Sequence, residues 1–226
     1  MTLEQYAPVS REVKPPRPAC PACKAPMWFD GCYRRKVRQA GVVHELVVHR
    51  VRCPRCRAGH AVLPDFVVAR RLDSAEVIGA ALALALAAPG TRGAALLAAV
   101  PARTARSWRA RFAVISVPLA IGFSALAAER SWQPANLPYV TPAHTAMAAI
   151  GAAWHTTLTR YPASPLRGPW RFANAMCGGA LMAIRMSVPQ PRRPGSRGGH
   201  GRPDGGPADR QRLSARIAPT PLVAPI

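Results

Sequence analysis

Cys20-Pro-Ala-Cys23 and Cys53-Pro-Arg-Cys56 are two copies of one short pattern, C-P-x-C. Two thiolates three positions apart can turn toward a single point, and two such turns supply four sulfurs. Four sulfurs at about 2.3 Å are the shell that a structural Zn²⁺ ion takes. The expected cofactor is therefore Zn²⁺, held by Cys20, Cys23, Cys53 and Cys56. Residues 24–52 separate the pairs, a longer spacer than is usual for such patterns, and a β-hairpin would absorb it. A complete thiolate shell leaves no open position for a reacting water, so the expected metal is structural. His60 follows the second pair at C-x-x-C-x-x-x-H spacing and is the alternative fourth ligand. Cys32 is expected to be a free thiol, and His44 and His49 surface residues.

A second constellation follows the cysteines. Asp73-Ser-Ala-Glu76 fits a capping box, with Asp73 as the cap, and opens a helix that Pro89-Gly90 ends. Gly93 to Ala98 reads as a short second helix. A third starts near Ala102 and runs to about Phe112, continuing or kinking at Pro118. Ala95, Leu96, Val100, Ala105, Trp108 and Phe112 fall at helical spacing and would form the inner face of a trihelical helix-turn-helix. The outer face carries cations, and no Asp or Glu occurs in residues 77–128. A recognition helix offers its first turns to base edges and its flanking cations to phosphates. Arg103, Thr104, Arg106 and Ser107 are the candidates for the first role. Arg92, Arg109 and Arg111 suit the second.

These groups need elements to hold them. Tyr33, Val37, Val42, Val43, Leu46, Val47, Val48 and Val51 are mostly strand formers, and Gln39-Ala40-Gly41 is the hairpin turn between two strands. Knuckle, hairpin, knuckle is the order of a zinc ribbon. Residues 61–66 give a short strand or connector. Beyond the third helix, Ala143 to Thr157 and Asn174 to Met182 read as helical. The expected fold class is α+β. Its parts are a flexible leader over 1–19, a β zinc ribbon over 20–66 and a helix-turn-helix over 73–112. An apolar helical region over 113–182 and a disordered Arg/Pro/Gly-rich tail over 183–226 complete it.

Composition narrows the partner. The 226 residues contain 31 Lys and Arg against 10 Asp and Glu, a formal net charge of +21. Such an excess of positive charge selects a polyanion. Double-stranded DNA is the expected partner, a homodimer is allowed, and a membrane is not expected. Phe112 to Ala128 is the most apolar uncharged run, shorter than a bilayer span requires and interrupted by Pro118. The first nineteen residues lack an apolar signal segment, which places the cysteines in a reducing compartment, the cytoplasm and its nucleoid. Catalysis is not expected. After the third helix the acids are Glu129, Asp204 and Asp209, and no carboxylate triad for two Mg²⁺ ions can be assembled from them. Neither a Gly-rich phosphate loop with lysine nor a G-x-S-x-G elbow is present. His144, His155 and Cys177 have no spacing that supports a nucleophilic set.

The order C-P-A-C, Tyr-Arg-Arg, Arg-Val-Arg-C-P-R-C, His-Ala-Val-Leu-Pro-Asp-Phe and helix-turn-helix resembles the N-terminal DNA-binding portion of bacterial insertion-sequence transposases. More closely, it is similar to an uncharacterised bacterial family of stand-alone zinc-ribbon/helix-turn-helix proteins. The resemblance covers residues 20–112 and extends to Gly168-Pro-Trp-Arg-Phe-Ala-Asn174. It implies a DNA-binding regulator or a transposase-derived protein without a catalytic domain. The alternative is a zinc-ribbon interaction module that docks a partner or a membrane through residues 113–182.

Overall fold

The computed structural model describes residues 1–87, 93, 95, 99–131 and 141–183. Among these, α1 (Leu3–Val9) precedes β1 (Trp28–Gln39), β2 (Val42–Arg52) and β3 (Gly59–Val62). Then come α2 (Ala75–Ala87), α3 (Ala102–Ser131), α4 (Pro142–Arg160) and α5 (Pro169–Met176). The class is α+β: one antiparallel sheet in the order β1-β2-β3, followed by helices.

The hairpin between β1 and β2 closes on two residues, Ala40 and Gly41, with φ of 48° and 83°. Positive φ at both central positions is the condition for a turn that matches strand twist. Gln39 faces Val42, and the register runs without a slip to Cys32 opposite His49; a bulge then separates Cys32 from Phe29. Gly31 sits in that bulge with φ of 89°, where a residue without Cβ is favoured.

The first nineteen residues depart from the expectation of a flexible leader. Thr2 and Gln5 form a reciprocal capping box at the start of α1. Leu3 is buried with Val37, Leu46, Val48, Phe66 and Val67, and Tyr6 meets the Phe66 ring edge-on at 5.4 Å. Ser10 ties the helix down: its Oγ accepts from the Val47 N–H at 3.0 Å and donates to the Ala7 carbonyl. The contacts to the sheet and to Phe66 join residues tens of positions apart in the chain, so local composition could not reveal them.

The cap of α2 also differs from expectation. Ser74, one residue later than Asp73, accepts from the Val77 N–H through its Oγ. Asp73 instead takes the Arg38 Nε–H at 2.7 Å. The strand neighbour wins because the bonds from Arg38 N–H to the Leu72 carbonyl and from Ser74 N–H to the Arg38 carbonyl hold this segment against β1.

The third helix passes through the boundary expected at residue 112. Ala105, Trp108, Phe112, Ile115, Leu119, Phe123 and Ala127 are buried at three- and four-residue steps along α3, one continuous stripe. Pro118 does not end it. A proline in a helix leaves the carbonyl four residues earlier without its N–H, and that residue, Val114, is on the exposed side. The stripe packs with α2, α4 and α5 in one apolar core that also includes Ala95 and Val100. Ala102–Glu129 has the length and composition to cross a membrane, and half of its most apolar window is buried inside the protein. The helix expected at Asn174 to Met182 begins earlier, at Pro169, and stops at Met176. Gly178 and Gly179 follow it with φ of 61° and 77°. Leu96 and residues 184–226 lie outside the described residues.

Candidate metal centre and basic helix

The first C-P-x-C turn precedes β1, and the second joins β2 to β3. Their backbones are the same. Cys20 N–H bonds the Ala25 carbonyl and Lys24 N–H bonds the Cys20 carbonyl, both at 2.8 Å. In the second turn Cys53 N–H bonds the Ala58 carbonyl at 2.9 Å, and Arg57 N–H bonds the Cys53 carbonyl at 3.0 Å. The residue after each second cysteine is left-handed, Lys24 at φ of 60° and Arg57 at φ of 61°. β2 sets the second turn directly beside the first, because Trp28 pairs with Arg52 one residue before Cys53.

The four sulfurs converge. Cys20 Sγ is 3.5 Å from Cys56 Sγ, and Cys23 Sγ is 3.3 Å from Cys53 Sγ. All four lie within 4.8 Å of one another. A tetrahedron with bonds of about 2.3 Å has edges of about 3.8 Å, so a single ion fits the cluster with small adjustments. Cys20 and Cys53 are buried with Met27 and Val51, while Cys56 faces outward. The Cys23 backbone N–H draws the Cys20 thiol below its usual value. The Cys56 N–H does the same for Cys53, down to about 6. At Cys56 the Ala58 N–H also lowers, but the proton shared with Cys53 and Cys20 prevails and raises it to about 11. Backbone donors thus already favour thiolate at two of the four positions.

His60 does not join the cluster. It stands on β3 opposite Val51, buried, with no hydrogen-bond partner at either ring nitrogen among the described residues. Cys32 is exposed on β1. His44 and His49 are half-buried rather than on the surface, and His49 meets the Phe29 ring edge-on at 5.8 Å.

The second constellation sits on α3. Arg103, Arg106 and Ser107 are exposed on the side away from the buried Ala105, Trp108 and Phe112, while the half-buried Thr104 and the exposed Arg109 flank that buried stripe. The Thr104 N–H is used by the Pro101 carbonyl at the start of the helix. Arg111 turns partly inward. Burial first, and then the charge of Arg111, lower the pKa of Arg71, so the two guanidinium groups sense each other. Arg92 lies outside the described residues. Thus five of the six described members of the set share the first turns of one helix, and Arg111 stands at its edge.

One constellation was not legible as a site. Asp65, in the Leu-Pro-Asp-Phe stretch, takes the Arg171 Nε–H at 2.8 Å and a terminal N–H at 2.6 Å. The Asn174 side-chain N–H₂ group donates to the Asp65 and Val67 carbonyls. Arg171 also lies over the Phe66 ring and donates to the Met1 carbonyl. The two motifs are more than a hundred residues apart, and each alone reads as an ordinary loop or helix start.

Residues 20–94 match a family described as a domain of unknown function, DUF6431. The matched segment holds the four-cysteine cluster, the sheet seen among the described residues and α2, and it stops before α3. No curated protein and no solved structure matches the chain.

Proposed function

We propose that the chain is a non-catalytic, Zn²⁺-stabilised protein that binds double-stranded DNA. It serves as a transcriptional regulator or as a DNA-binding protein of transposase descent, in the cytoplasm at the nucleoid. One observation carries this reading: Arg103, Arg106, Ser107 and Arg109 stand out on the first turns of α3 while Ala105, Trp108 and Phe112 behind them are buried. A helix held by its apolar side, with guanidinium groups at its free N-terminal end, suits the major groove. No carboxylate in residues 77–128 competes for those cations. In this reading Arg103, Thr104, Arg106 and Ser107 meet base edges, and Arg92, Arg109 and Arg111 meet phosphates. The all-thiolate donor set suits Zn²⁺. Among the described residues, only Met27 and Val51 are fully buried apolar companions of the cysteines, so metal binding free energy stands in for a core.

Selection from random duplex DNA by the full, Zn²⁺-loaded chain tests the reading. Arg103→Ala or Arg106→Ala is expected to cost about 1–3 kcal/mol on the selected site and to relax its sequence, whereas Arg111→Ala weakens all duplexes alike. Equal losses on selected and random DNA for all three would mean that no base is read here. One zinc per chain is expected by elemental analysis, lost in Cys53→Ser and kept in Cys32→Ser. Unchanged zinc in Cys53→Ser rejects the metal assignment.

A second reading has its own observation. Val114, Val117 and Ile121 are 67%, 52% and 66% exposed along α3, a stripe that suits a partner or a membrane docking on residues 113–182. Salt separates the two: binding through phosphates weakens steeply as salt rises, and apolar docking does not.

A further inference from the structure

β1 and β2 carry aromatic and basic side chains that no core uses. Directly opposed residues of an antiparallel pair share a face. Trp28 opposes Arg52 and Tyr33 opposes Val48. Val48 and Arg52 are four positions apart on one strand, so these four, with Arg50 between them, lie on one face. That face is buried at Leu46 and Val48 and then comes out into solvent. Arg50 and Arg52 are exposed, Tyr33 is 37% exposed and Trp28 is 62% exposed. The row from Trp28 through Arg52 continues to Gly59 on β3, where a side chain would meet nothing within 4 Å. The result is an open floor, with an indole at one side and guanidinium groups along it.

We propose that this face of the sheet binds single-stranded nucleic acid, stacking bases on Trp28 and Tyr33 and holding phosphates with Arg50 and Arg52. Charge complementarity selects the occupant. Neither arginine is ion-paired among the described residues, and Asp30 is the only acid in β1. Aromatic faces interleaved with cations fit a ligand that offers flat π surfaces at regular intervals along an anionic backbone. The strand must be single, because the bases of a duplex already stack on each other. The surface is separate from the first turns of α3, and the inference holds whether or not α3 reads duplex DNA.

Fluorescence anisotropy of the full Zn²⁺-loaded chain with labelled oligothymidylate, oligouridylate and a blunt duplex tests it. Binding of either single strand is expected, and the preferred one identifies DNA or RNA. Trp28→Ala should weaken that binding by about tenfold or more and leave duplex affinity unchanged. Trp28→Phe, which keeps a stacking ring, should retain most of it. Arg106→Ala should leave single-strand binding unchanged, whatever it does to the duplex. Trp28 is largely in solvent, so these variants keep their zinc and their circular dichroism. Single-strand affinity unaltered in the Trp28→Ala, Tyr33→Ala double variant overturns the proposal. So does a loss shared equally with the duplex, or Trp28-dependent binding to phosphatidylglycerol vesicles without binding to either oligonucleotide.

Discussion

Lys24 and Arg57 occupy matching positions in the two C-P-x-C turns, and both are left-handed. Side chains with a Cβ are strained there by roughly 1–2 kcal/mol, and glycine is the residue such a position favours. The strain is held in place by the hydrogen bonds that each of these residues donates back to Cys20 and Cys53. Lys24→Gly and Arg57→Gly are therefore expected to stabilise the metal-loaded protein by about 1 kcal/mol each, somewhat offset by the greater freedom of glycine in the unfolded chain. Thermal unfolding at fixed zinc concentration reads this out. A lower melting temperature in both variants would show that the long side chains make contacts worth more than the strain. Losing their positive charges would offset part of that gain once a metal is bound, because four thiolates around a divalent ion carry a net negative charge.

Along α2, Gly79 looks replaceable. It lies inside a thirteen-residue helix otherwise made of Ala, Leu, Val, Ile and Glu. On a free helix, Gly→Ala would stabilise by roughly 0.5–1 kcal/mol. Here a Cβ would enter the indole of Trp170 on α5, whose ring also meets Phe112 edge-on at 6.0 Å. Gly79 is what lets α5 close on α2 and α3 together. Gly79→Ala is expected to destabilise by about 1–3 kcal/mol through overpacking, measured by urea unfolding. Trp170→Leu should relieve the clash, and the pair should be less than additive. A stabilised Gly79→Ala variant would mean that α5 is not seated against α2.

Asp65, Arg171 and Asn174 join the sheet region to the helical core. Arg171 is 7% exposed and bonds Asp65 through two N–H groups. Breaking a buried pair by removing one partner leaves an unpaired charge, at a cost of about 3–5 kcal/mol. Arg171→Ala is expected to lose that much stability, and Arg171→Lys to recover little of it, because an ammonium cannot make the planar two-point contact. Chemical unfolding followed by far-ultraviolet circular dichroism measures both. Near-complete rescue by lysine would reduce the contact to simple charge pairing. Because the helical core holds α3, the duplex binding proposed above should also weaken in this variant through stability. Its salt dependence should stay unchanged, since no phosphate contact is removed.

Much of this arrangement was legible in the residues. The spacing of Cys20, Cys23, Cys53 and Cys56 announces a cluster of four sulfurs that could hold a metal ion, since a short turn is enough to bring each pair together. The β-formers around Ala40-Gly41 announce the hairpin. The periodicity of Ala105, Trp108 and Phe112 announces which side of α3 is buried. All are local signals, carried by neighbours a few positions apart. What stayed hidden depended on distant partners. The leader became α1 because Leu3 and Ser10 find β2. Asp73 lost the cap to Ser74 because Arg38 lies across from it. The expected division at residue 112 falls inside one helix, because the apolar stripe of α3 runs on past Phe112 to Ala127 in the same core as residues of α4 and α5. The pairing of Asp65 with Arg171 is a meeting of two opposite charges across more than a hundred residues. Local propensity and spacing act through a few bonds of chain, so they can be read in order along it. Burial and ion pairing reward whichever surfaces meet, and only the folded chain decides which those are.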